Sequence, residues 1–208
     1  MYKYVIISCD RLSKHILTHH PLHIISTFSA PRAFEIQDFL SQTEVDHIMY
    51  LTTGMKLHRS TTAGDGATAK DAERDSTKDT RTSLNTWVYR EKSPIIDTIY
   101  RRAADLLRID EALLRPRSKE EYPDLKSKGS LAEALQLVHY DVGQEYTAHH
   151  DFGYSDFSLK DTQPARFATL LLYLNEGMIG GATQFPRHVN AETGKGLHVE
   201  PKVGKAIL

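Results

Sequence analysis

Apolar residues fall at helical spacing in two segments of the chain, and each segment opens on its own start signal. In the first, Leu40-Ser41-Gln42-Thr43-Glu44 precedes Val45, Ile48 and Met49. Ser41 and Glu44 stand at capping-box spacing and Leu40 can staple onto Val45, so a helix is predicted to start here and to bury those three residues. In the second, Ser93 supplies the cap and Pro94 the first helical position, where its fixed φ is already helical. Ile95, Ile99, Ala103 and Leu106 then mark the buried face. Neither helix carries chemistry; both are scaffold.

Elsewhere the period shortens to that of strands. Trp87-Val88-Tyr89, residues 135–140, residues 146–151 and residues 167–174 are predicted as strands from their alternation or their apolar, β-branched and aromatic content. Gly143 and Gly180-Gly181 provide turns, and Thr183, Phe185, Val199, Val203 and Ile207 mark the last segments. Two helices followed by several strands predict an α+β chain with a sandwich or barrel of β structure at its centre. Residues 60–80 hold almost no large apolar side chain and cannot repay ordering by burial, so a mobile loop, a possible lid, is expected there. Residues 115–128, charged and broken by Pro116 and Pro123, are expected as a surface connection. The first thirty residues are expected to form an irregular leader. Their apolar run Tyr4-Val5-Ile6-Ile7 is cut off by Asp10 and Arg11, too soon for a signal peptide or a membrane helix. His15 and His19 stand at helical spacing in this leader, but no acidic or cysteine partner is near and Pro21 interrupts them.

Composition narrows the classes of function. At 208 residues the chain fits one domain after the leader, and Lys+Arg 26 against Asp+Glu 27 leaves a net charge of -1. No global field draws it to nucleic acid or to an anionic membrane, so a partner must be chosen by a local site. With Cys9 as the only cysteine, neither an internal disulfide nor a thiolate zinc site can form. A metal here must be held by histidine and carboxylate.

Tyr146-Thr147-Ala148-His149-His150-Asp151 offers that chemistry. In a strand His149 and Asp151 point to one face while His150 points to the other, which gives one nitrogen and one oxygen to a single ion. One imidazole and one carboxylate are two thirds of the facial triad that binds non-haem Fe(II) and leaves positions open for substrate and oxygen. A His-x-Asp tripeptide alone is also met as a surface ion pair, and its surroundings are what favour the metal.

Those surroundings form an ordered series: Pro31-Arg32 before Phe39-Leu40-Ser41, Arg81-Thr82-Ser83, Leu135-Gln136-Leu137-Val138-His139-Tyr140, Gly143-Gln144-Glu145-Tyr146 with His149-x-Asp151, residues 166–174, Gly180-Gly181-Ala182-Thr183-Gln184-Phe185-Pro186, and Pro201-Lys202-Val203-Gly204-Lys205-Ala206. In order and spacing this resembles the catalytic domain of prolyl 4-hydroxylases over residues 31–208. The resemblance implies a double-stranded β-helix (jelly-roll) core with the two helices as N-terminal support. It implies Fe(II) at His149 and Asp151, 2-oxoglutarate beside Tyr140, Thr169 and Tyr173, and a substrate peptide at Arg166, Tyr146 and Ser83. The implied reaction hydroxylates a peptidyl proline while 2-oxoglutarate becomes succinate and CO2, with L-ascorbate restoring oxidised iron. Family members often reside in the endoplasmic reticulum.

The series departs from the family at its end. The family's third ligand, a histidine, and a Lys or Arg for the distal carboxylate of 2-oxoglutarate both follow the Pro-Lys-x-Gly-x-Ala strand, and the sequence ends at Leu208 before either position. His188 and His198 precede that strand and match neither. The expectation is therefore a C-terminally incomplete domain whose 208 residues do not turn over 2-oxoglutarate. A non-catalytic jelly-roll module that binds peptide without a complete metal centre is the alternative. A zinc hydrolase built on the histidine-rich leader is a weaker rival, because no His-Glu-x-x-His accompanies it.

Overall fold

Both helices form where their caps place them. In the computed structural model, which describes residues 2–10, 22–24, 33–60, 80–121, 123, 129–151, 166–189 and 196–208, helix α1 spans Gln42–Thr52 and helix α2 spans Pro94–Leu107. The Ser41 amide donates to Glu44 Oε2 at 2.8 Å and the Glu44 amide donates to Ser41 Oγ at 3.3 Å, completing the capping box. Ser93 Oγ accepts from the Ile96 amide at 3.2 Å. On α1, Val45 and Ile48 are buried and Met49 is half-buried. On α2, Ile99, Ala103 and Leu106 are buried as expected, but Ile95 is only half-buried while Ile96, Tyr100 and Leu107 are buried too. The buried stripe is wider than the pattern predicted because a short 3-10 turn, Glu111–Leu114, also packs on this helix.

The strands are β1 (Tyr2–Asp10), β2 (Leu22–Ile24), β3 (Phe34–Ile36), β4 (His58–Arg59), β5 (Leu84–Val88), β6 (Leu135–Tyr140), β7 (Arg166–Tyr173), β8 (Thr183–Val189), β9 (Gly196–Val199) and β10 (Ala206–Ile207). Eight of them form one sheet in the order β2-β3-β10-β7-β1-β6-β5-β4, and β8 pairs with β9 in a separate hairpin. Neighbouring strands are antiparallel throughout. The chain is thus a mixture of few helices and antiparallel sheet, as expected for α+β.

The N-terminal segment differs from expectation. Instead of an irregular leader, residues 2–10 form the strand that joins β6 to β7, with Tyr4 opposite both Val138 and Tyr173. The apolar run that is too short for an anchor has the length of a strand, and its partners are too distant in sequence for a local pattern to announce them. His23 lies in β2, opposite Glu35 of β3. His15, His19 and His20 lie outside the described residues, as do residues 61–79 of the expected loop.

The sheet has two unlike faces, which follow from the period of two along each strand. Leu135 and Leu137 of β6 and Leu170 and Leu172 of β7 pack with α1 and α2 in the main core. Tyr173, Val199 and Ile207 pack together on the other face, with Leu171 and Phe185 against them. Thr169 shares that second face by spacing along β7, and Tyr140 shares it by register through β1. Gly204 fixes the turn before β10. It has φ +78°, its amide donates to the Tyr173 carbonyl at 3.0 Å, its carbonyl accepts from the Leu40 amide at 2.9 Å, and a Cβ there would stand 2.4 Å from the Leu40 oxygen. No helix among the described residues is long and apolar enough to cross a membrane.

Candidate active site

Residues 146–151, expected as a strand, make one isolated antiparallel bridge, Tyr146 with Arg81, and the rest of the segment is irregular. Its backbone is tied instead to residues 80–82: the Thr147 amide donates to the Thr80 carbonyl at 2.9 Å, the Thr82 amide donates to the Glu145 carbonyl at 3.0 Å, and the Glu145 amide donates to Thr82 Oγ1 at 2.8 Å. The reason for expecting convergence was strand geometry, yet His149 and Asp151 converge without it. His149 Nε2 lies 3.1 Å from Asp151 Oδ1, with both side chains part-exposed.

The local bonding orients the imidazole for ligation. His149 Nδ1 lies 2.8 Å from the Thr147 carbonyl, a contact that an Nδ1–H makes as donor, and Nε2–H faces Asp151 as donor; a metal ion taking that proton's place would meet the Nε2 lone pair on the carboxylate side. Two cis donors each about 2.0–2.2 Å from one ion stand about 3 Å apart, which the observed separation fits. Burial pushes the Asp151 carboxyl up, but hydrogen bonds from His149 and Thr169 and the charges of His149 and Arg166 outweigh it and hold the group below its ordinary value. A carboxylate so held is ionised at neutral pH and ready for a cation. Among the described residues, however, no group of three or more His, Cys, Asp or Glu side chains could share an ion.

Two other His-x-acid pairs occur and neither has this setting. His139 Nε2 and Asp141 Oδ1 are also 3.1 Å apart, but His139 is buried on the helix side of β6. His198 Nε2 is 3.6 Å from Glu200 Oε1 on the exposed face of β9.

The remaining expected residues divide. Thr169 lies near enough to Asp151 for its hydroxyl to help hold that carboxyl below its ordinary value. Tyr140 is buried at the end of β6. Tyr173 lies four residues beyond Thr169, roughly 13 Å along the strand, and its hydroxyl is engaged with Thr183 Oγ1 at 2.6 Å, so it forms a wall of the second face rather than a free donor. Burial holds its phenol far above the ordinary range. Arg166 pairs with Glu133 at 3.2 Å and remains half-exposed. Ser83 is a correction: it is 0% exposed, donates to Ser60 Oγ at 2.9 Å and accepts from Arg81 Nε at 3.0 Å, so it has no surface to offer a peptide. Arg81 itself, which no period or motif in the sequence assigns a role, is the residue beside the site that was missed.

Residues 135–208 match the family model described as the 2OG-Fe(II) oxygenase superfamily. Among curated proteins of Arabidopsis thaliana, "Probable prolyl 4-hydroxylase 3" is 33% identical over 192 residues, covering 86% of this chain and 58% of the relative. "Prolyl 4-hydroxylase 2" is 30% identical over 203 residues, covering 91% of this chain and 60% of the relative. These matches support a prolyl 4-hydroxylase-like 2OG-Fe(II) oxygenase domain. The chain spans less than two thirds of the length of these relatives. The family match includes β6, β7 and the His149-x-Asp151 segment, so the side chains that converge in space fall inside the stretch that the family shares.

Proposed function

We propose that this prolyl 4-hydroxylase-like domain is an Fe(II)- and 2-oxoglutarate-dependent dioxygenase that hydroxylates peptidyl proline, with L-ascorbate as its reductant. The observation that carries the reading is the pair His149 Nε2 and Asp151 Oδ1, 3.1 Å apart with the imidazole locked through Nδ1. His149 and Asp151 hold the iron, and Thr169 fixes the carboxylate from behind. With 2-oxoglutarate and O2, the bound iron supplies the oxidising chemistry that leaves a hydroxylated substrate, succinate and CO2. Tyr140, Thr169 and Tyr173 line the co-substrate pocket on the second face of the sheet, and the sheet with the β8–β9 hairpin corresponds to the jelly-roll core. Arg166 and the rim of Tyr146 face the peptide, while Ser83 acts from behind Arg81. The protein's share of catalysis is to orient the target C–H bond and exclude water.

The test is peptide-dependent succinate release with Fe(II), ascorbate and a proline-rich peptide. In a version of the domain that also carries the family's third ligand and its cation for 2-oxoglutarate, His149→Ala and Asp151→Ala are expected to abolish it and His198→Ala to leave it intact; full activity after His149→Ala would sink the metal assignment. The alternative, a non-catalytic peptide-binding module, is favoured by the absence of a third ligand among the described residues. It requires that the peptide bind with no succinate formed and with no effect of His149→Ala on peptide affinity.

A further inference from the structure

We propose that Arg81 is a positioning residue for His149 and acts through the ring of Tyr146; the proposal rests on the reading of His149 as a metal ligand. The Tyr146 ring and the His149 imidazole are stacked, with centroids 3.6 Å apart and planes 16° from parallel. The Arg81 guanidinium lies over the same ring, its central carbon 4.6 Å from the centroid. Groups this near cannot occupy one face of a phenol without colliding, so the ring is held between guanidinium and imidazole.

The outer member of this stack is itself fixed. Arg81 is 9% exposed, its Nε donates to Ser83 Oγ at 3.0 Å, and Ser83 Oγ donates to Ser60 Oγ at 2.9 Å. Its Nη2 is buried without a hydrogen-bond partner, and among the described residues no carboxylate forms an ion pair with it. Among the described residues, the Tyr146 ring is the aromatic face offered to this buried cation. The consequence for His149 is geometric. Rotation of the imidazole about its χ2 axis would break both the stack and the Nδ1 contact to the Thr147 carbonyl, so Nε2 stays aimed at the Asp151 side. Tyr146 therefore uses its ring for the metal ligand and has its edge and hydroxyl left for a peptide.

The 208-residue chain titrated with Co(II), read by calorimetry and by the visible absorption of the bound ion, tests this without turnover. Removal of an orienting partner around a metal ligand typically costs 10–100-fold in metal affinity, so Tyr146→Leu is expected to weaken Co(II) binding about tenfold or more and to alter the spectrum. Tyr146→Phe, which keeps the ring, is expected to bind within about twofold of wild type, the level at which site changes are negligible. Arg81→Ala is expected to weaken binding in the wild-type background and to add nothing in the Tyr146→Leu background. Should Arg81→Ala fail to fold, Arg81→Lys keeps the charge without the planar guanidinium and is expected to show the same loss. Wild-type affinity and spectrum in folded Tyr146→Leu, or additive effects of the two substitutions, would overturn the positioning role. If wild type binds no Co(II), or if His149→Ala binds as wild type does, the metal reading fails first; if His149→Ala loses the ion while Tyr146→Leu does not, the stack alone is wrong.

Discussion

Glu44 does two jobs at one carboxylate. It closes the capping box of α1 through the Ser41 amide, and it receives Arg102 of α2 at 2.6 Å through Oε1 and 3.1 Å through Oε2. Arg102 in turn donates to the Phe39 carbonyl at 2.5 Å. Burial pushes the Glu44 carboxyl up, yet Arg102 and Ser41 more than offset it and the group sits below its ordinary value of 4.5. The sign follows: a carboxyl lowered by folding stabilises the folded state above its unfolded pKa, and that stability is lost as pH falls through the folded pKa. Thermal melts of the wild type should therefore lose ground below about pH 4.5 more steeply than those of Glu44→Gln, which at pH 7 should be less stable by about 1–2 kcal/mol. Equal slopes for the two proteins in acid would show that Glu44 does not carry this dependence.

At the level of elements, the clearest test is the turn that couples a site strand to a helix start. Gly204 takes a left-handed conformation and brings its backbone against Leu40, just before the α1 cap, while its amide holds the end of β7. Gly204→Ala meets both a strained φ and a clash with backbone that cannot swing aside, for a loss on the order of 2–4 kcal/mol. Urea unfolding measures it, and a change under about 0.5 kcal/mol, the scale of ordinary surface substitutions, would mean that the close approach is relaxed in solution. Elements of this kind differ in how far the sequence announces them. Ser41-x-x-Glu44 and Ser93-Pro94 announced both helix starts because capping is a local transaction between residues three apart. β6 and β7 were legible from their apolar composition. Residues 146–151 were not, because their backbone partners are Thr80, Arg81 and Thr82 and only one bridge forms. The meeting of His149 and Asp151 was legible even so, since a two-residue offset brings them near in either conformation. Arg81 stood in the Arg81-Thr82-Ser83 motif, but its role was not legible for the opposite reason: that role lies in what stacks upon it, which residues next to it along the chain do not record.

For the whole molecule, β1 is the strand on which the sheet depends. It alone pairs with both β6 and β7, so without it the order divides into β2-β3-β10-β7 and β6-β5-β4, joined through the core beneath the helices. Deleting residues 2–10 is expected to leave the helices and their core folded while amides of β6 and β7 lose protection in hydrogen exchange, and Co(II) binding at His149 weakens as β7, with Thr169, loses its neighbour. Unchanged protection in both strands would show that β6 and β7 do not need this partner.

The same placement sets an order of events in folding. The contacts of β1 join residues more than a hundred positions apart, and closing a loop of roughly 130 residues costs about 4 kcal/mol of chain entropy before any pairing repays it. The helices and the β5–β6 pairing, which close shorter loops, are expected to form ahead of it. Until β1 arrives, β6 and β7 present two open edges of apolar strand side by side, and any other extended segment, including the β1 of a second molecule, can take the vacant slot. Yield on refolding should therefore fall with protein concentration.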